Sequence, residues 1–188
     1  MDTILKRLGE SVKAVFRTQV FLERRGVEVD VPAIRIREKM AEIAQFTQNE
    51  ADILLMRTPF CIEVKGRPGL IFREALDIHY EDVSVDTVSG YLAKSRKPLA
   101  YVMVSGDYEG GIVLPTFTHP DWEIRRTPDH RRKITDDFYF ADKRHFVGRR
   151  RWLIDLCREL QSCSAREYDP ILLKYGFPSD DLGRYRLP

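Results

Sequence analysis

The 188-residue chain reads as a mixed α/β (α+β) protein, a central mixed β-sheet flanked by helices with a basic helical C-terminal extension. Three observations predict it. Segments of helical and strand-like periodicity follow in the order helix, strands, helix, strands, helix. An apolar share of 43%, with 10 Phe and 8 Tyr, suffices for a real core and excludes a disordered chain. From Thr116 onward the composition shifts to Arg, His, Asp and aromatics. Residues 1–115 are therefore expected to form the core, and 116–188 a basic extension packed on it.

The elements follow from local patterns. Residues 3–25 have helical spacing, with Ile4, Leu5, Leu8, Val12, Val15, Phe16 and Gln19 on one face and Gly26 as the stop. Alternation over 27–36 predicts a half-buried strand, and 37–50 is irregular or mixed. The runs ADILLM and FCIEVKG, joined by Arg-Thr-Pro, predict an antiparallel hairpin ending at Gly66. More extended structure is expected over 70–85. Asp86 stands at an N-cap position before TVSGYLAKSRK, a helix closed by Pro98. LAYVMVS and GIVLP predict a buried strand and its partner across the loop GDYEGG, which lacks the Gly-Lys-Ser/Thr of a phosphate loop. A helix is expected over 149–161, with Trp152, Leu153, Leu156, Cys157 and Leu160 on one face, and the tail SDDLGRYRLP is expected to be polar and loose.

Composition bounds the function. There are 31 Lys and Arg against 29 Asp and Glu, a net charge of +2, so the chain as a whole is not a strongly cationic nucleic-acid binder. Three cysteines without metal spacing, Cys61, Cys157 and Cys163, imply a reducing compartment. No stretch resembles a signal peptide or reaches membrane-spanning length, so a soluble cytoplasmic protein with no membrane partner is expected. The histidines, His79, His119, His130 and His145, show no short metal-binding spacing.

The informative window runs from Asp52 to Lys65. Glu63 and Lys65, two apart on a strand, project to the same face, and a hairpin brings Asp52 level with them. Paired hard oxygen ligands suit Mg²⁺, which polarises a phosphodiester and acidifies water. A lysine beside them can orient or deprotonate the attacking water, or offset charge at phosphorus.

These residues resemble the PD-(D/E)-x-K nuclease superfamily, the restriction-endonuclease-like fold. Asp52 matches the first acid, Glu63 the second and Lys65 the lysine, with ten residues between the acids. Apolar strands flank both acids, and the helix and buried strand that follow match the superfamily's order of elements, over roughly Asp2 to Pro115. The sequence departs from the pattern at Ala51, where a proline is usual. Thr87 and Tyr91 stand at a spacing where some members carry Gln and Tyr, so only the Tyr matches. The resemblance implies a Mg²⁺-dependent DNA nuclease, with Mn²⁺ as substitute. Asp52, Glu63 and the carbonyl of Val64 would hold the metal, Lys65 would assist the water, and a homodimer is implied. It also implies a third acid from the first helix or nearby, with Glu10, Glu23 and Glu42 as candidates. Two alternatives stay open: an RNA-directed nuclease, and a catalytically inactive nucleic-acid-binding or assembly protein on the same fold.

Between His119 and Trp152 there are ten Lys or Arg against six acids, with Tyr139, Phe140, Phe146 and Trp152 interleaved. Phosphate backbones favour such arrays because each neutralised phosphate releases a counterion. Arg131, Arg132, Lys133, Arg149, Arg150 and Arg151 are the candidate nucleic-acid contacts. The competing reading pairs these cations with Asp129, Asp136, Asp137 and Asp142. Lys94, Arg96 and Lys97 either contact phosphate or complement the dipole of the middle helix.

Overall fold

A computed structural model describes residues 2–32, 51–129 and 134–186. Its architecture is mixed α/β, a five-stranded mixed sheet and a three-stranded sheet flanked by helices. The elements are α1 (Asp2–Glu23), β1 (Val29–Asp30), β2 (Ile53–Leu55), β3 (Cys61–Arg67), β4 (Asp82–Thr87), α2 (Val88–Ala93), β5 (Ala100–Ser105), β6 (Gly111–Pro115), β7 (Glu123–Asp129), β8 (Ile134–Asp142), α3 (Arg149–Ser162) and α4 (Tyr168–Lys174). The large sheet has the order β1-β2-β3-β5-β6, and the small sheet β4-β8-β7. Among the described strands only β3 and β5 pair in parallel.

Strand alternation divides the core between the two faces of the large sheet. Ile62 and Val64 of β3, Ala100, Val102 and Val104 of β5 and Val113 of β6 pack with α1, α3 and α4. Tyr101, Met103, Ile112 and Leu114 face the other way, into a second cluster with Val83 and Val85 of β4 and Tyr139 and Ala141 of β8. Period-two alternation thus builds two layers from one set of strands. A parallel pair needs a crossover. Residues 68–99 supply it, carrying β4 and α2 across the second face.

The predicted hairpin forms, Ile53 opposite Ile62 and Leu54 opposite Cys61, with Arg57 taking a left-handed turn conformation at φ 63°. The predicted β5–β6 pair forms as well, in register from Ala100–Pro115 to Val104–Gly111. The helix expected over 149–161 spans Arg149–Ser162.

Other expectations are corrected. Among the described side chains of α1 the buried stripe is Ala14, Val15, Thr18 and Leu22, so Val15 faces inward as expected while Phe16 is 53% exposed; the side chains of Ile4, Leu5 and Leu8 lie outside the described residues. The helix is turned so that Ala14 meets β3 at Gly66, where an added Cβ would stand 3.5 Å from that of Ala14. Two small residues let helix and sheet approach closely. Of the extended structure expected over 70–85, residues 82–85 form in β4, but 70–81 form no strand, because the Asp77 carboxylate accepts the N–H groups of Arg73 (2.7 Å) and Glu74 (2.9 Å) and closes a short 3₁₀ turn. The tail is not loose: residues 179–185 form a 3₁₀ segment, Tyr185 is buried, and the Arg184 carbonyl accepts from the Lys97 N–H at 2.8 Å.

The β7–β8 hairpin and the small sheet had no forecast. β8 pairs with β4, and α3 and α4 close the first core cluster, so the region after Thr116 contributes to both layers. Of the strand expected over 27–36, Val29–Asp30 forms β1, while residues 33–36 and all of 37–50, with Glu42, lie outside the described residues.

Candidate functional site

The site lies where the crossover passes over β3. Glu63 and Lys65 project from the second face of β3, and Glu63 is 7% exposed. Tyr101 of β5 sits opposite Glu63 in the parallel register. The β2–β3 register ends at Ile53–Ile62, which sets Asp52 opposite Glu63 as the sequence pattern predicts. Beyond that last pair the Val64 N–H has no strand partner, and Asp52 Oδ2 accepts it at 2.7 Å. Strand alternation, fixed by the Leu55 N–H to Phe60 carbonyl bond, directs the Val64 carbonyl to the same side, past the end of β2.

Two residues that the sequence pattern does not assign to the site complete the cluster. Asp86 is the penultimate residue of β4, where one extra residue between the Ser84–Phe140 and Thr87–Phe138 pairs makes a bulge. Bulges re-aim side chains, and this one turns Asp86 toward β3. Its Oδ2 lies 3.3 Å from Lys65 Nζ and accepts from the Tyr101 hydroxyl at 3.0 Å. The expected cap role passes to Thr87, whose hydroxyl accepts the Gly90 N–H at 3.0 Å. Gly90 is required there, since an added Cβ would come 2.6 Å from Thr87 Oγ1 and 3.4 Å from Asp86 Oδ1. Lys94, just after α2, places Nζ 3.0 Å from Glu63 Oε1 and 3.8 Å from Asp86 Oδ2. Lys65 Nζ stands 3.0 Å from that same Glu63 oxygen.

Carboxylates and ammoniums therefore alternate around Glu63, Lys65, Asp86 and Lys94, with Asp52 beside them. Burial, reinforced by the negative charge of Glu63, pushes the Asp52 carboxyl up to about 7, although the Val64 N–H and both lysines oppose the shift. Burial opposes the charge of Lys65, yet Glu63, Asp86 and Asp52 outweigh it and raise its pKa, so it is an ammonium at neutral pH. Burial and the adjacent Asp86 likewise hold the Tyr101 hydroxyl protonated.

Of the acids proposed from sequence to complete the site, Glu10 and Glu23 lie on α1, which packs against the opposite face of β3. Glu23 is exposed and accepts from Gln19. Among the described acids it is Asp86 that shares Lys65 and Lys94 with Glu63. Its signal in the sequence is its place at the end of an alternating strand in a crossover. Tyr91 packs in an aromatic nest, stacked on His119 at 4.5 Å and edge-on to Trp122 and Tyr139. Burial lowers the pKa of His119 there.

Among the described residues no three His, Cys, Asp or Glu side chains are grouped as around a bound ion. The physical reason is that Lys65 and Lys94 stand between Glu63 and Asp86. The donor chemistry nonetheless fits a hard divalent cation. Half-buried Asp52 and buried Glu63 are adjacent carboxylates that repel each other, and the Val64 carbonyl lies on the same side of β3 as the hydrogen bond to Asp52.

The basic residues are arranged differently. Arg125 pairs with Asp82 at 2.6 Å and Glu123 at 2.5 Å, Lys143 with Glu81 at 3.1 Å, and Arg144 with Asp142 at 2.5 Å. Arg149 lies 5.6 Å over the Phe117 ring. Arg150 binds the Gly111 carbonyl at 2.6 Å and that of Arg73. Arg151 is 92% exposed beside Asp155. Arg131, Arg132 and Lys133 lie outside the described residues.

No family model matches this chain, and neither a curated protein nor a solved structure does. Among the described residues no helix is long and apolar enough to cross a membrane.

Proposed function

We propose that this protein is a metal-dependent phosphodiesterase acting on nucleic acid, most simply a DNA nuclease of the restriction-endonuclease-like type. The observation that carries the reading is the convergence of buried Glu63 with half-buried Asp52 and Lys65 at the end of the β2–β3 hairpin. Asp52, Glu63 and the Val64 carbonyl are the groups that would hold Mg²⁺, with Mn²⁺ as substitute. When bound, the ion polarises the phosphodiester and acidifies water.

The remaining roles belong to the chain. Lys65, kept protonated by its carboxylate neighbours, acts as a donor that orients the attacking water and offsets charge on the phosphoryl oxygens, not as a base. Asp86, fixed by Tyr101, is a positioning residue for Lys65. Arg151, on the exposed side of α3, is the described member of the basic set best placed to meet a phosphate backbone.

One observation favours a rival, a nucleic-acid-binding or assembly protein without catalysis. Lys65 and Lys94 by themselves neutralise Glu63 and Asp86. Incubating the chain with linear, circular and single-stranded DNA and with RNA, in Mg²⁺, Mn²⁺ or chelator, separates the two. Metal-dependent cleavage lost in Asp52→Ala and Lys65→Ala is expected. Cleavage that survives both substitutions would sink the catalytic assignment, and binding without cleavage would establish the rival.

A further inference from the structure

We propose that the β7–β8 hairpin is an arm that enters the major groove of duplex DNA and reads base edges there through Arg126 and Asp137. The proposal rests on the nucleic-acid part of the reading above and deepens it: the substrate is a duplex, recognised by its sequence. The arm is defined by where the small sheet stops. Thr87 opposite Phe138 is the last pair between β4 and β8. β7 and β8 continue together for four further pairs, from Arg126–Asp137 to Asp129–Ile134. At about 3.3 Å per residue these pairs add roughly 13 Å of two-stranded ribbon. β8 has no β4 partner there, and the Asp137 N–H is taken by Asp136 Oδ1 at 2.9 Å. Arg126, Pro128 and Thr135 are exposed. Two strands without a covered face are marginal by themselves, so core packing does not account for this length.

The arm leaves the sheet beside the site, because Thr87 directly follows Asp86. Period-two alternation puts Arg126, Pro128, Thr135 and Asp137 on the face that Tyr139 turns into the second core cluster. That is the side on which the large sheet lies. A duplex with a phosphodiester at the site is therefore met by the arm within a few base pairs.

The side chains select bases over backbone. Arg126 and Asp137 stand directly opposite on that face, a forked donor beside an acceptor, and among the described residues they form no ion pair with each other. Their charges cancel, whereas phosphates favour uninterrupted cations. The pair matches base edges instead: an arginine binds guanine O6 and N7 together, and a carboxylate accepts from cytosine N4. The major groove of B-form DNA, about 12 Å wide, admits a two-stranded ribbon. In A-form RNA that groove is too narrow for side chains to read. Arg125, on the opposite face of β7, is by contrast held by Asp82 and Glu123.

The test uses the full chain in chelator, where cleavage does not interfere, and a pool of random DNA duplexes from which bound molecules are recovered and sequenced. Wild type is expected to enrich a guanine and an adjacent cytosine at fixed positions. Arg126→Ala should erase the guanine preference and weaken binding to the enriched duplex about tenfold or more, with little change on unselected DNA. Asp137→Asn should move the neighbouring preference from cytosine to adenine, the base that an asparagine reads. Arg125→Ala should leave both preferences in place. Double-stranded RNA of the enriched sequence should compete poorly.

No enrichment by wild type, the same enrichment by Arg126→Ala, or equal losses on enriched and unselected duplexes overturns the proposal. Metal-dependent cleavage without base preference would leave the phosphodiesterase reading standing, and enrichment without cleavage would do the reverse.

Discussion

Two charged regions of this molecule obey opposite rules. At the β3–β4 junction, three carboxylates, two ammoniums and the Tyr101 hydroxyl converge from four elements and the Asp52 turn, largely away from water. Across the basic stretch after Thr116, the described arginines are dispersed. Arg125, Arg144, Arg149 and Arg150 are each matched to a nearby acid, ring or carbonyl, mostly at the surface. Charges in the first region act on one another strongly because little solvent screens them, whereas exposed pairs contribute little each. Density of charge in the sequence is therefore a poor guide to where chemistry resides. Convergence in a buried place is the better one.

The sharpest way to break the comparison is Glu63→Gln or Lys65→Met. Each should lower metal-dependent cleavage by at least about 10³-fold, more than any single change in the basic stretch. Initial rates on linear DNA measure it, and an arginine variant with an equal loss would reverse the ranking of the two regions.

The next effect concerns stability. The Asp52 carboxyl ionises near 4 in the unfolded chain but near 7 in the folded one. Folding thus favours its protonated form, and the contribution is lost as pH rises between those values. Above about pH 7 the buried carboxylate costs about 2–4 kcal/mol. In chelator at pH 8, Asp52→Asn should unfold at a higher temperature than wild type, and the gap should close near pH 4. A gap that stays constant with pH would show that Asp52 is not held as described.

Smaller again is Arg150→Ala, which removes the guanidinium joining the Gly111 and Arg73 carbonyls and should cost about 1–2 kcal/mol in denaturant unfolding. Arg151→Ala, on the same turn of α3, should leave the unfolding midpoint unchanged. If Arg151 meets a phosphate, the salt dependence of DNA binding loses a slope of about 1. A drop in stability for Arg151, or none for Arg150, would mean that the roles of these neighbours are reversed.

Much of the site is legible in the order of the residues. Asp52, Glu63 and Lys65 lie within fourteen residues on a hairpin whose apolar runs and turn are local signals. Asp86 and Lys94 are not legible in this way, because their meeting with Glu63 depends on a crossover, a bulge and a short helix. The same limit applies to α1. Its period is readable, but its rotation is set by the contact of Ala14 with Gly66, more than fifty residues away. The small sheet escapes notice because β7 and β8 are rich in charge and lack a clean apolar alternation.

By itself, then, the sequence determined the fold class, the order of the main elements, the β2–β3 and β5–β6 hairpins and the trio Asp52, Glu63 and Lys65. Each of these follows from short-range periodicity and turn chemistry. Only the tertiary structure decided which acid joins the trio, that a second lysine shares Glu63, and that Arg150 is spent on backbone carbonyls. The parallel pairing of β3 with β5 forces residues 68–99 across one face of the sheet, and such long-range closure leaves no periodic trace in the chain.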